Sequence, residues 1–306
     1  MGAAGPRFSR QGRTGPGKNR RPASLGAAST TGMWRLWFNA PLSLRVVRPF
    51  ANSIPRARLA RYDFSTPRLF VDAALGSGAD LPLDRGQANY LLNVLRLRAG
   101  DGVLVFNGRD GEWRATVEAE GRKGARLGVG ELARPQESRP DLLLLFAPLK
   151  HARLDYMVQK AVEMGAGVLQ PVITGRTQVA RVNGERMRAN AIEAAEQCGI
   201  LAVPELRAPL ALDRALSGLE PDRLLVFCDE DAPSGDPVDT LRPRGGRSSR
   251  LAVCVGPEGG FTDEERARVA ARECTVRVSL GPRILRADTA AVAALALVQA
   301  TLGDWR

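Results

Sequence analysis

The chain has 306 residues and 44% hydrophobic content, enough for two domains with sizeable cores. Its net charge of +11 suggests a polyanionic partner. However, twelve of the 44 basic residues and one of the 33 acidic ones fall in residues 1–66, which leaves 32 of each sign in the rest. The body is therefore not globally basic, and any RNA contact it makes must use a local patch.

Residues 1–66 are rich in Gly, Pro, Arg and Ser, lack periodicity and read as a disordered basic extension. Three origins compete: a start codon assigned too early, with Met33 or a later codon the real one; an Arg-rich, acid-poor targeting peptide; or a basic arm for RNA phosphates. The first is favoured, because nothing in the body needs the segment.

Order begins at Pro67. Strand-like runs at Arg68–Asp72, Gly102–Phe106, Trp113–Val117 and Ala125–Gly130 are separated by turn signals at Asn107–Gly111 and Gly121–Gly124. One helical stretch, Gln87–Leu95, puts Tyr90, Leu91, Val94 and Leu95 on one face. Residues 67–134 thus read as a small β-barrel with one helix. A polar, proline-bounded linker follows at 135–140.

From 141 to 306, apolar runs alternate with helical stretches. The runs are Leu142–Ala147, Val168–Ile173, Leu224–Cys228, Leu251–Val255 and Val276–Leu280. The helices are about Arg153–Met164, Gly184–Ile200, Thr262–Arg272 and Asp288–Leu302. Continuous apolar strands between helices predict a parallel sheet covered on both faces. The longest apolar run, Ala290–Ala300, is too short for a membrane span. Cys198, Cys228, Cys254 and Cys274 form no CxxC pair and His151 is the one histidine, which argues against a metal site and suits a reducing compartment.

Two segments carry the chemistry. Gly256-Pro257-Glu258-Gly259-Gly260-Phe261 follows a strand and opens a helix at Thr262, with Glu265 completing a capping box. Leu280-Gly281-Pro282-Arg283-Ile284-Leu285-Arg286 does the same before Asp288. Glycine lets a ligand approach the backbone closely, yet no GK[ST] or GxGxxG is present, so neither a phosphate loop nor a Rossmann site fits. Two arginines entering an apolar helix suit an anion or an enolate-like oxygen. Lys160 and Glu163 share a helix face and could be a solvated salt bridge, whereas Glu193 and Glu196 are paired carboxylates that can serve acid–base work, although helix surfaces are full of such pairs. His151 reads as a loop residue near a polar edge.

The body resembles the RsmE-type 16S ribosomal RNA uridine-N3 methyltransferases of the SPOUT superfamily. The resemblance rests on Arg68–Val71, Leu97–Asp101, Lys150–Asp155, Gln159–Gly165, Pro171, Arg176, Glu193–Cys198, Val203-Pro204 and the two glycine segments, all in family order. Gly199 stands where relatives often carry Arg, and Asp288 where many have Glu. The resemblance implies a PUA-like barrel followed by a SPOUT domain with a C-terminal trefoil knot. It implies a homodimer, a cytoplasmic bacterial location (organellar only if residues 1–66 are a targeting peptide) and 16S rRNA of the small subunit as substrate. S-adenosyl-L-methionine would be held by Val255, Gly256, Pro257, Gly259, Gly260, Leu280, Gly281, Ile284 and Leu285, with the Cys228–Glu230 turn closing the pocket. Arg286 would stabilise charge on the uracil oxygens, with Glu258, Asp288 and Glu163 as candidate bases in falling order. RNA would lie across Arg68, Arg96, Arg98, Arg109, Lys150, Arg153, Arg176 and Arg283. Ribose 2′-O methylation and a non-catalytic RNA-binding factor are the alternatives.

Overall fold

The computed structural model describes residues 63, 65–120, 124–179, 181–233, 235–244 and 250–305. The expected extension through residue 62 and the hairpin tip at 121–123 lie outside the described residues.

The first sheet is built from β1 (Arg68–Phe70), β2 (Asp80–Pro82), β3 (Gly102–Phe106), β4 (Glu112–Glu120) and β5 (Gly124–Arg134). Its order is β1-β3-β4-β5-β2, an open, curled half-barrel with β1 and β2 at its edges. Leu69, Val103, Val105, Val117 and Leu127 fill its interior. The expected helix is a composite: α1 (Arg85–Asn89) runs into a π turn, Tyr90–Val94. It starts two residues before Gln87 because Asp84 and Gln87 form a capping box. The turn after β3 is closed by Asn107, whose Oδ1 accepts from the amides of Arg109 and Asp110 at 2.9 Å each, with Gly108 and Gly111 at positive φ.

The second sheet comprises β6 (Leu142–Phe146), β7 (Val168–Ile173), β8 (Glu205–Leu206), β9 (Leu210–Ala211), β10 (Leu224–Cys228), β11 (Leu251–Val255) and β12 (Thr275–Val278). Every pairing in it is parallel, in the order β12-β10-β11-β6-β7-β8, with β9 paired to β7. Its helices are α2 (His151–Glu163), α3 (Gly184–Cys198), α4 (Leu212–Ser217), α5 (Pro237–Leu241), α6 (Asp263–Ala270) and α7 (Ala287–Thr301). Alternate strand residues face two cores. Leu142, Leu144 and Phe146 pack with α2, α3 and α7, while Leu143 and Leu145 pack with α4 and Val269 of α6. Burial on both faces is why the strands read as unbroken apolar runs. Helix α3 ends where Gly199 turns left-handed at φ 71°. His151 is not in a loop: it is the first residue of α2, at φ 29°.

The two layers are fastened by a buried cation. Arg68, 3% exposed at its side chain, pairs through Nε with Glu112 at 2.7 Å. Its Nη1 donates to the carbonyls of Ala195 and Glu196, its Nη2 to that of Ile200, and its guanidinium lies 4.2 Å from the Phe106 ring centre. Arg134 joins the same carboxylate and also donates to the Gly199 carbonyl at 2.8 Å. Arg68 was expected to touch RNA. The structure corrects this: its positive charge is consumed at the end of α3, where unpaired helix carbonyls need donors. The Phe70 amide meanwhile donates to the Glu196 carboxylate at 2.7 Å.

Candidate functional site

Because β12, β10 and β11 are neighbours, the loops that leave their carboxyl ends are brought together. These are residues 229–231, 256–261 and 279–286. In open parallel sheets this edge is where ligands bind. All the expected cofactor residues therefore lie on these loops or at the strand ends beside them, although β12 stops at Val278 and leaves Leu280 in the loop.

The middle loop is tightly folded. The Gly260 amide donates to the Pro257 carbonyl at 2.9 Å. Phe261 tucks under it, 1% exposed and edge-on to Phe227 at 4.9 Å between ring centres. A side chain at Gly256 would meet the Phe261 ring at 2.6 Å. Gly260 sits at φ 68°, and a side chain there would strike the Glu230 carboxylate. Glycine is thus demanded at both positions by close packing, and at Gly260 by backbone conformation too.

Arg266 of α6 holds the loops in register. Its Nε meets Asp229 at 3.2 Å, its Nη2 meets Glu230 at 2.5 Å, and its Nη1 meets Asp231 at 2.7 Å. Asp229, with no exposed side-chain surface, also takes Arg277 of β12 at 2.7 Å. One acid therefore ties β10, β12 and α6 together. Glu265 does similar work on the other side. It completes the Thr262 capping box and accepts the Gly175 amide at 2.7 Å, drawing the loop after β7 to the site. Sequence reasoning placed Asp229 in the turn beside the site but missed Arg266 and Arg277, because they lie 37 and 48 positions from it.

The candidate reacting groups lie on or near these loops. Arg286 is the N-cap of α7 and is exposed; among the described residues no side-chain hydrogen bond engages it. The Asp288 carboxylate accepts the Thr289 amide in the first turn of α7. Glu258 pairs with Arg153 at 3.1 Å, and the Arg176 guanidinium donates to the Gly259 carbonyl at 2.7 Å. Glu163 is engaged instead by Lys160 at 2.7 Å, the solvated pair that spacing allowed. The Cys228 thiol at the end of β10 is buried and pushed up to about 12, first by burial and then by Asp229, which leaves it an unreactive apolar side chain. Ile284 is 100% exposed beside Arg283.

A profile of the RNA methyltransferase domain matches residues 136–299, and one of the RNA methyltransferase PUA domain matches residues 83–129. Ribosomal RNA small subunit methyltransferase E of Rickettsia conorii is 31% identical over 234 residues, covering 76% of this chain and 94% of its own.

The chain belongs to the RsmE methyltransferase family.

Two solved structures extend the likeness. A Legionella pneumophila protein in complex with the bound cofactor SAM is 31% identical, with a TM-score of 0.66 over 77% of this chain and 97% of its own. Ribosomal RNA small subunit methyltransferase E from Neisseria gonorrhoeae, bound to S-adenosyl methionine, is 28% identical, with a TM-score of 0.70 over 79% of this chain and 100% of its own. In this RsmE-family chain the expected RNA residues separate into two groups. Arg96, Arg98 and Arg109 are exposed on the half-barrel, Arg96 at φ 60°. Arg153 and Arg176 touch the 256–261 loop, while Lys150 is the exposed N-cap residue of α2 and Arg283 lies on the loop after β12. Among the described residues no helix is long and apolar enough to cross a membrane, and no cluster of three or more His, Cys, Asp or Glu could hold a metal ion.

Proposed function

We propose that this chain methylates N3 of a uridine in 16S ribosomal RNA of the small subunit, with S-adenosylmethionine as donor. The observation that carries the reading is the cluster of loops at the carboxyl ends of β10, β11 and β12. Three parallel strands end side by side, the middle one in a close-packed glycine loop, and an uncommitted arginine stands at the mouth of an apolar helix. The residues fit the cofactor. Glycines 256 and 260 let the loop fold tightly against Phe261 and Glu230 at the strand end, and neither GK[ST] nor GxGxxG is present to suit a phosphate loop or a dinucleotide. When bound, S-adenosylmethionine supplies an electrophilic methyl group.

The protein must do the rest. Uridine N3 is a poor nucleophile while protonated, so the site has to favour its anion. Arg286 would meet the charge that develops on O2 or O4, as an oxyanion hole does. Glu258, then Asp288, would accept the N3 proton. Arg153, by pairing with Glu258, sets where that carboxylate points. Fixing N3 in line with the methyl group supplies much of the remaining acceleration. We further read the active form as a homodimer with the SPOUT trefoil knot: fully exposed Ile284 is an apolar side chain that a second subunit would cover. The test is tritium transfer from S-adenosylmethionine to small subunits and to naked 16S RNA, followed by nucleoside digestion. Label in 3-methyluridine is expected. Label in a 2′-O-methyl nucleoside would keep the fold and overturn the chemistry.

A further inference from the structure

A second concave site lies away from the cofactor loops. It is a cleft of about 310 Å³ where the half-barrel meets the sheet domain. That volume is at the lower end of small-ligand sites, about 300–1,000 Å³. Its floor includes Phe70 of β1 together with Val203 and Pro204, which precede β8. Three arginines from three separate parts of the chain reach it: Arg109 from the turn after β3, Arg139 from the segment before β6, and Arg188 from α3. None of them belongs to the 229–231, 256–261 or 279–286 loops.

We propose that this cleft is a second RNA subsite, which binds one nucleotide of the ribosomal RNA strand apart from the methylated uridine, with phosphate against the arginines and base against the apolar floor. The inference rests on the RNA-methyltransferase reading above and deepens it. Three features support it. First, the arginines are loosely held. Arg109 and Arg188 approach Asp72 at 3.7 and 4.0 Å, and Arg139 approaches Glu205 at 3.7 Å, all with exposed side chains. Exposed pairs of that length contribute little, so a phosphate can replace the carboxylates. Arg109 is also aimed by a 3.1 Å bond to the Asp72 carbonyl. Second, the Arg188 guanidinium lies 5.4 Å from the centre of the Phe70 ring. An arginine plane beside an aromatic is how proteins take unstacked RNA bases. Third, the floor stands at the end of the sheet where β7 begins, since Glu205 pairs with Val168. The cofactor loops leave the other end, a strand length of about 17 Å away. A nucleotide held there anchors the strand without entering the reaction.

The test uses the full chain. Filter binding of naked 16S RNA is measured across a salt series for wild type, Arg188→Glu, Arg139→Glu and the double variant, with calorimetric S-adenosylmethionine binding as the second readout. Arg242→Glu, at an exposed site paired with Asp239, is the control. The expected result is about tenfold weaker RNA binding for each single variant and a log–log salt slope reduced by about 1.4 in the double, for two single-strand phosphate contacts. Cofactor affinity should stay unchanged. The neutral Arg188→Gln, checked for a wild-type melting curve, should weaken RNA binding in the same direction and so separates binding from folding. An equal loss in Arg242→Glu, or no loss in either cleft variant, overturns the proposal. Arg188-dependent binding of uridine monophosphate with unchanged RNA affinity would mark a free-nucleotide site and overturn it too. A defect seen only on assembled subunits would do the same, because the cleft would then face a ribosomal protein. Failure of the methyltransferase reading shows separately, as wild type that binds RNA yet transfers no methyl group.

Discussion

Arg68→Ala is the sharpest test of how the two layers are joined. Arg68 and Glu112 are 3% and 2% exposed at their side chains, so the substitution acts on a desolvated pair. Removing one member of a buried ion pair costs about 3–5 kcal/mol, and because Arg134 still neutralises Glu112 the lower end applies, about 3 kcal/mol. The Ala195, Glu196 and Ile200 carbonyls also lose their donor, which adds about 1 kcal/mol. The sum of about 4 kcal/mol corresponds to a urea midpoint lowered by about 1.5 M. By contrast, Arg126→Ala, which breaks an exposed pair with Asp80, should cost less than about 1 kcal/mol. The same carboxylate gives a pH arm. Burial pushes the Glu112 carboxyl up, but the hydrogen bonds from Arg134 and Arg68 outweigh it and hold it below its ordinary value of 4.5. A depressed folded value means the contribution is complete above 4.5 and is lost as pH falls through the folded value. Glu112→Gln should therefore flatten the fall in stability below pH 4.5. Equilibrium urea unfolding followed by tryptophan fluorescence at several pH values measures both arms. A cost for Arg68→Ala within 1 kcal/mol of that for Arg126→Ala would refute the reasoning.

Three further outcomes are expected. Gly260→Ala should lose about 1–3 kcal/mol, since a non-glycine residue must hold φ 68° against Glu230; melting curves read this. The displaced loop should also weaken S-adenosylmethionine about tenfold, or about 1.4 kcal/mol, and unchanged affinity by calorimetry would show that the loop does not hold the cofactor. Arg286→Ala should reduce kcat about 10²–10³-fold with cofactor affinity retained, as for loss of one oxyanion donor; full methylation would end the assigned role. In a native thiol titration at pH 8, exposed Cys198 should react well before Cys228 and Cys254, whose thiols burial pushes far up. Rapid modification of all three would show that the sheet opens.

The long elements were legible in the sequence because their signal is local. β10 and β11 have the bounds that their apolar runs give, and α7 is shifted by one residue from its predicted span. Short edge elements were not. β2, β8 and β9 have two or three residues each and exist only because a neighbour accepts their hydrogen bonds. The helix at 85–94 changes type midway, at a π turn that periodicity does not encode. At the site, glycine spacing and the arginines before α7 pointed to the loop cluster, whereas the Arg266–Asp229–Arg277 group could not be seen, because parallel topology alone brings it together. Arg68 failed in the opposite sense. A basic residue at the start of a strand looks like surface charge until its carboxylate, 44 positions away, is known.

The buried fastening of Arg68 has a mechanical consequence. A half-barrel clamped to the end of α3 cannot swing like a tethered arm. It is a fixed ruler, and the distance between what it touches and where methyl transfer occurs is set by the fold. If the half-barrel holds RNA as proposed, target choice becomes a matter of span: a uridine would qualify only when the RNA around it reaches both ends of the ruler at once.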